Sequence, residues 1–542
     1  MTRFEIWFLS LLMVSLWALM PATQLWDWDE AHYARTGIEM WEAGNLLLPQ
    51  FNGELYGHKP PFAFWLMGLA VQIFGETEFA ARFFSAPALA IAAFLTGRTA
   101  TLMFDRKVGE ASMVIFATGF LSIYLGAAAM LDAYLVVGCA LSVWAVVKIV
   151  QDRQVTWGLW IWFTLGGLLT LLVKGPVGPT LIGGMALGIW VFLPKDERPD
   201  WKAFWLLVAG GIVGILGFLA WFIPANTSSG GDLAGQVIGV HIIGRALAPM
   251  EGHGGQGVLG FLLFLPVYIP VILLGMLPWT TYLPASLTHT IRRVDRKNRV
   301  ILLSWAVPLF VAFSAVATKL PHYIFPVLAP LAVMIAAYLI GDKRGSRYAG
   351  RRISALLYLA IAAALLWAGF ALGQGLSQFL PILAALGFLA MAALVWRLPA
   401  DHSALVPLAI ASIASMQLLY WGGLREIEGH VKLSRTLGTA IQKHVPGTAP
   451  IFMGYYREPS LSFYASRDID QPIRPLRASN LAEILADVPN GYGVFTEREK
   501  QVLEKAFPKR TVAVLGLASG RNFNQDGVLQ NVYLLEWRDV AE

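Results

Sequence analysis

The stretch "LWDWDEAHYAR", residues 25–35, places Asp27, Asp29, Glu30 and His32 directly after an apolar run long enough to cross a bilayer. Further ionisable side chains follow in short motifs at the ends of later apolar runs. They are His58 and Lys59 in "YGHKPP", Asp132 in "AMLDAY", Lys174 in "LVKGPVG", His241, Arg245 and His253 in "HIIGRALAPMEGH", and Lys319 and His322 in "TKLPHYIFP". A charge near membrane depth costs about 2.5–3.5 kcal/mol on insertion scales, so charges retained there tend to line a cavity or pathway. The set combines a few carboxylates with several cations. Cations suit a phosphate-bearing lipid, whose charge they hold and whose departure they stabilise. A carboxylate opposite orients or deprotonates a nucleophile. Together they outline glycosyl transfer from a lipid-phosphate sugar.

Each residue also has a plainer reading. Asp29 and Glu30 suit the N-terminal dipole of a helix "DEAHYARTGIEMWEAG", and Asp132 suits an N-cap. Lys174 and Lys319 suit snorkelling to headgroups. His58, His241, His253 and His322 lack tight zinc spacing. Co-location at one end therefore carries the inference, more than any single side chain.

The elements that must position these groups are membrane spans. The chain has 542 residues, 56% hydrophobic and 14% charged, with a mean hydropathy of +0.59, which no ordinary soluble core accommodates. The net charge of +6 sits in short clusters between apolar runs, so it reads as orientation signal and gives no indication of nucleic acid. Cys139 is the single cysteine and lies in an apolar run, which excludes an intramolecular disulfide. Runs of spanning length fall at 5–21, 79–104, 109–127, 130–150, 157–173, 176–193, 202–224, 259–283, 299–317, 320–340, 352–373, 377–396 and 403–422, thirteen in all. The first is expected to remain as an uncleaved span, and 61–75 to lie as an interfacial helix.

With the N-terminus cytoplasmic, the inside loops hold the basic clusters "RRVDRKNR" and "DKRGSRYAGRR", whereas the outside loops hold isolated cations. That places the motifs above, and the region after 427, outside. In residues 428–542, strand-like runs such as "APIFMGYY" and "QNVYLLEW" alternate with helical ones, which predicts a small α/β domain. The expected fold class is thus an all-α polytopic membrane domain, 1–427, of about 13 transmembrane helices, with a first outer loop at 22–78 and a small C-terminal α/β domain. A transporter or flippase is the rival class, but such proteins keep key polar groups near the midplane and often show repeated halves, neither of which is seen here.

"DEAHYARTGIEMWEAGNLLLPQFNGELYGHKPPFAFWL" and "EFAARFFSAPAL" resemble the first outer loop of membrane glycosyltransferases that include bacterial 4-amino-4-deoxy-L-arabinose lipid A transferases and, more distantly, protein O-mannosyltransferases. "LVKGPVG", "KLPHYIFPVLAPLA" and "EPSLSFYAS" resemble later blocks of the bacterial group. The resemblance implies an inverting transferase of the glycosyltransferase-C type in the bacterial inner membrane, with a periplasmic site and C-terminal domain. Its donor would be a polyprenyl-phosphate sugar such as undecaprenyl-phosphate aminoarabinose, and its acceptor lipid A or another outer-leaflet glycolipid. A protein or glycan hydroxyl is the alternative acceptor. It makes Asp29, Glu30 and Asp132 catalytic and Lys59 a ligand of the donor phosphate, to which charge and side add Arg245, Lys174 and Lys319. Tyr33, His322 and Tyr323, in the same blocks, are expected to touch substrate. No cofactor is required. A structural divalent metal such as zinc would use His58 and His241. The family commonly has Glu before "KPP", where this chain has His58, a departure that bears on any metal site and on acceptor choice.

Overall fold

The computed structural model describes residues 1–237, 257–341, 348–371, 379–399, 401–465, 473–476, 481–522 and 528–539. Ten helices in it are long and apolar enough to cross a bilayer, from Arg3–Ala22 to His402–Val431. Their large apolar side chains face outward as well as inward. In Trp201–Ser228, Ile212, Leu216 and Ile223 are all more than half exposed, as a helix bathed in lipid requires.

Three of the thirteen expected runs differ from single straight spans. The run 109–127 is a pair of helices, Arg106–Ala117 and Phe120–Gly126, bent by 67°. The break falls at Thr118 and Gly119, where Phe120 N–H leaves its helix to donate to Leu277 O at 3.1 Å. The run 176–193 forms Val177–Phe192, 16 residues or about 24 Å at 1.5 Å per residue, short of the ~30 Å hydrocarbon core. The run 259–283 is also shorter, with Gly257–Phe264 and Tyr268–Gly275 joined through a 3₁₀ turn at Pro266.

Two close helix crossings place the site. The first-loop helix Glu30–Glu42 packs on Phe62–Phe74 at Gly37 and Gly68, where a Cβ on Gly37 would sit 2.6 Å from Phe64 O and one on Gly68 would sit 2.4 Å from Gly37 O. The second crossing brings Asp132–Asp152 against Trp157–Lys174, with Gly138 directly opposite the Gly166 carbonyl. Only glycine permits backbones to approach this closely. Because these two helices run antiparallel, the first residue of one, Asp132, adjoins the last residue of the other, Lys174.

Beyond Val431 the chain forms a five-stranded mixed sheet flanked by helices. The first loop carries a small hairpin of β1 (Gln50–Phe51) and β2 (Glu54–Leu55). The sheet proper uses β3 (Ile451–Met453), β4 (Ile473–Pro475), β5 (Asn490–Thr496), β6 (Arg510–Asn522) and β7 (Val528–Asp539), in the order β4-β3-β5-β7-β6. β3 pairs in parallel with both β4 and β5, and β7 pairs antiparallel with β5 and β6. Apolar cores form on both faces of the sheet, around Leu437 and Ile451 on one and around Phe495 and Trp537 on the other.

Candidate active site

Asp29 stands at the N-cap position of Glu30–Glu42, yet its side chain caps nothing. Its Oδ1 accepts a hydrogen bond from the Tyr33 hydroxyl at 2.7 Å, one turn further on. Burial pushes the Asp29 carboxyl up, but His322, the Tyr33 bond, Lys59 and Lys174 outweigh it and hold the group below the ordinary carboxylate value. Burial and the neighbouring Asp29 charge push the Tyr33 hydroxyl well up, so it stays a neutral donor. Trp28, immediately before Asp29, has φ +73°, a left-handed conformation that is strained for a bulky residue. His32 Nδ1, 2.6 Å from Trp28 O, helps to hold it.

Asp132 is buried and its Oδ1 accepts from Lys174 Nζ at 2.7 Å. Each charge lies at the helix end whose dipole favours it, the acid at an N-terminus and the cation at a C-terminus. The other oxygen, Oδ2, has no hydrogen-bond partner among the described residues, and His322 Nε2 lies 3.8 Å away. Lys174 Nζ also sits 4.8 Å from the centre of the Tyr323 ring. Asp29, Tyr33, Lys59, Asp132, Lys174, His322 and Tyr323, drawn from five separate stretches of sequence, therefore share one site.

Glu30 and Lys319, expected at the chemistry, have other employment. Glu30 is fully buried and accepts from Arg82 Nε at 2.8 Å, Arg82 Nη2 at 2.7 Å, Trp26 N at 2.8 Å and Ala129 N at 2.6 Å. Arg82 in turn donates to the carbonyls of Met20, Thr23 and Gln24. The pair staples the first loop to the bundle and leaves Glu30 no lone pair directed at substrate. Lys319 Nζ donates to the carbonyls of Phe313, Ser314 and Val316, at the C-terminal end of Arg296–Ala315, where it satisfies orphan acceptors. Arg245 and His241 lie outside the described residues. His58 packs its ring against Tyr56 at 4.4 Å. No three His, Cys, Asp or Glu side chains gather as a metal site among the described residues.

Sequence reasoning missed the third acid of the opening motif. Asp27 Oδ1 accepts from Ser460 N at 3.0 Å, in the block "EPSLSFYAS" of the C-terminal unit. Burial pushes the Asp27 carboxyl up, against the opposing effects of Ser460 and Lys432. Lys432 bonds Gln24 O at 3.0 Å and Leu25 O at 3.1 Å and lies 4.0 Å from the Trp26 ring centre. Tyr464 accepts from Leu25 N at 2.9 Å and donates to Glu78 at 2.8 Å. The C-terminal unit is thereby clamped onto the residues just before Asp29. The available signal was the third carboxylate itself, since a charge beside a membrane span needs a partner.

Residues 58–223 match the family model described as dolichyl-phosphate-mannose-protein mannosyltransferase. The undecaprenyl phosphate-alpha-4-amino-4-deoxy-L-arabinose arabinosyl transferase 2 of Proteus mirabilis is 29% identical over 349 residues, 63% of this chain and 60% of the relative. The corresponding transferase of Edwardsiella ictaluri is 28% identical over 355 residues, with the same two shares. The chain thus spans about three-fifths of the length of the curated relatives it matches. The crystal structure of ArnT from Cupriavidus metallidurans bound to undecaprenyl phosphate superposes with a TM-score of 0.76 at 17% identity, covering 98% of this chain and 97% of that one, which shows a shared fold. The chain is therefore similar to the protein mannosyltransferases over residues 58–223, to the 4-amino-4-deoxy-L-arabinose transferases over about three-fifths of its length, and to ArnT in fold.

Proposed function

We propose that the protein is an inverting glycosyltransferase of the bacterial inner membrane that moves 4-amino-4-deoxy-L-arabinose from undecaprenyl phosphate to a phosphate of lipid A. The observation that carries this reading is the meeting of Asp29 and Asp132 with Lys59, Lys174 and His322 at one end of the bundle. The names and bound ligand of the relatives support the choice of donor. The motif-bearing end faces the periplasm by the distribution of basic loops.

In the reaction the acceptor oxygen forms a bond to the anomeric carbon as the bond from that carbon to the donor's phosphate oxygen breaks, on opposite faces of the sugar. Lys59 and Lys174 stabilise the leaving undecaprenyl phosphate, which gains a negative charge as it departs. An acceptor phosphate monoester, with a second pKa of about 6, is already an oxyanion near neutral pH and needs no proton removed. The acceptor loses one negative charge and the leaving group gains one, so no proton need move. The depressed Asp29 carboxyl fits this case, because a carboxylate held below its ordinary range is a poor general base and a good partner for a cation. With Asp132 it would orient the sugar and balance the charge of its 4-amino group.

The test is to incubate purified protein with undecaprenyl-phosphate aminoarabinose and lipid A and to weigh the product. One added aminoarabinose on lipid A is expected. Transfer only to a peptide or glycan hydroxyl would reject this acceptor while keeping the donor.

A further inference from the structure

The end of the bundle away from the carboxylates carries a second concentration of charge. A pocket of about 420 Å³ lies between the loops that join Asp132–Asp152 to Trp157–Lys174 and Val177–Phe192 to Trp201–Ser228. Arg153, Arg198 and Lys202 line it, and none of the three is in an ion pair among the described residues. Arg198 is half-buried, and its Nε and Nη1 are shielded from solvent with no hydrogen-bond partner among the described residues. Its guanidinium stacks 5.0 Å from the centre of the Trp201 ring. Arg153 holds a left-handed backbone, φ +56°, and makes one long bond, 3.4 Å, to Lys195 O. The acid in the lining, Asp200, is already engaged, accepting from Ala203 N at 2.9 Å. The neighbouring Glu197 is not part of the lining, and its Oε2 is buried with no hydrogen-bond partner among the described residues.

An orphaned guanidinium in a basic hollow calls for an anion. The surroundings identify its source. Trp157, Trp201 and Trp205 are 79%, 45% and 64% exposed around the pocket, the placement of aromatic side chains at headgroup level. Leu206, 40% exposed, forms part of the wall and leads onto the outward apolar face of Trp201–Ser228. A free phosphate would use the cations alone, whereas a phospholipid would also cover that face. Basic pockets between spans commonly hold acidic headgroups. We propose that Arg153, Arg198 and Lys202 bind the phosphate of an anionic phospholipid in the leaflet opposite the carboxylate site.

The full-length protein, purified in detergent and stripped of lipid, is titrated with phosphatidylglycerol, phosphatidylcholine and inorganic phosphate separately, and bound species are read by native mass spectrometry. The wild type should hold one phosphatidylglycerol about tenfold more tightly than the R153A/R198A/K202A variant, a difference of about 1.4 kcal/mol. Phosphatidylcholine and inorganic phosphate should show no such difference. R292A/R293A removes two exposed cations from another loop and should retain wild-type affinity. R198Q alone should weaken binding about threefold and supplies the answer if the triple variant fails to purify. Equal phosphatidylglycerol affinity in wild type and R198Q, an equal loss in R292A/R293A, or equally tight binding of inorganic phosphate would overturn the proposal.

Discussion

Replacing Glu30 with Gln separates an anchoring role from a chemical one. In the native protein both carboxylate oxygens accept from two donors each, Oε1 from Arg82 Nε and Ala129 N, and Oε2 from Arg82 Nη2 and Trp26 N. An amide placed in either orientation sets an NH₂ against two donors and leaves the buried Arg82 charge uncompensated. Removing one partner of a buried pair typically costs about 3–5 kcal/mol, so E30Q should be destabilised by that order. The pH dependence has a definite sign. Burial pushes the Glu30 carboxyl up, and Arg82 and the backbone donors bring it below its ordinary value. Its contribution to stability is therefore complete above the unfolded carboxylate range, near 4.3, and is lost as pH falls through the lower folded value. Thermal unfolding in detergent, repeated over a pH series, should show this acid-sensitive component in the wild type and not in E30Q. The double variant E30L/R82L should lose less than the sum of the two single leucine variants, by about 3 kcal/mol. Donor turnover per folded molecule should fall little in E30Q at low temperature. An E30Q protein that unfolds with the wild type at every pH but turns over a hundredfold more slowly would refute the anchor and return Glu30 to the chemistry.

Lys59→Gln removes a cation that holds Asp29 ionised, so the Asp29 carboxyl should rise and the acidic limb of the pH-rate profile should move to higher pH; an unmoved limb would separate Lys59 from Asp29. Asp132→Asn and Lys174→Met should each slow transfer by about 10²-fold, and the double variant should be little worse than either, because the two act as a unit; full additivity in kcat/KM would contradict this. Lys319→Met should lower stability by about 1–3 kcal/mol through lost carbonyl bonds while leaving the donor KM unchanged; a raised KM would place Lys319 at the phosphate.

Spanning segments were legible because about 20 consecutive apolar residues have few alternatives to a membrane helix. The bend at Thr118–Gly119 was not, because the carbonyl that takes up the Phe120 N–H freed at the break, that of Leu277, lies some 160 positions away in the chain. The site was legible as a class. Ionisable residues recurring at one end of successive runs implied a shared surface, and Asp29, Asp132, Lys174 and His322 do share one. The division of labour within it was hidden. Asp29 and Glu30 are adjacent and chemically alike, yet a helix turns successive side chains by about 100°, so one faces Tyr33 and the cations while the other faces Arg82. Lys174 and Lys319 look equivalent in sequence, but one ends its helix beside an acid and the other folds back on open carbonyls. The clamp from Asp27 to Ser460 links residues more than 400 apart, which no local pattern encodes.

The proposed function makes Asp29 and Asp132, set among cations at one end of the bundle, necessary for sugar transfer from a lipid phosphate. Release of undecaprenyl phosphate from undecaprenyl-phosphate aminoarabinose, measured side by side for wild type, D29N, D132N and K319M in the presence of lipid A, tests it most directly. Release by the wild type and K319M is expected, with a loss of about 10²-fold or more in both carboxylate variants. Release unchanged in folded D29N and D132N would contradict it.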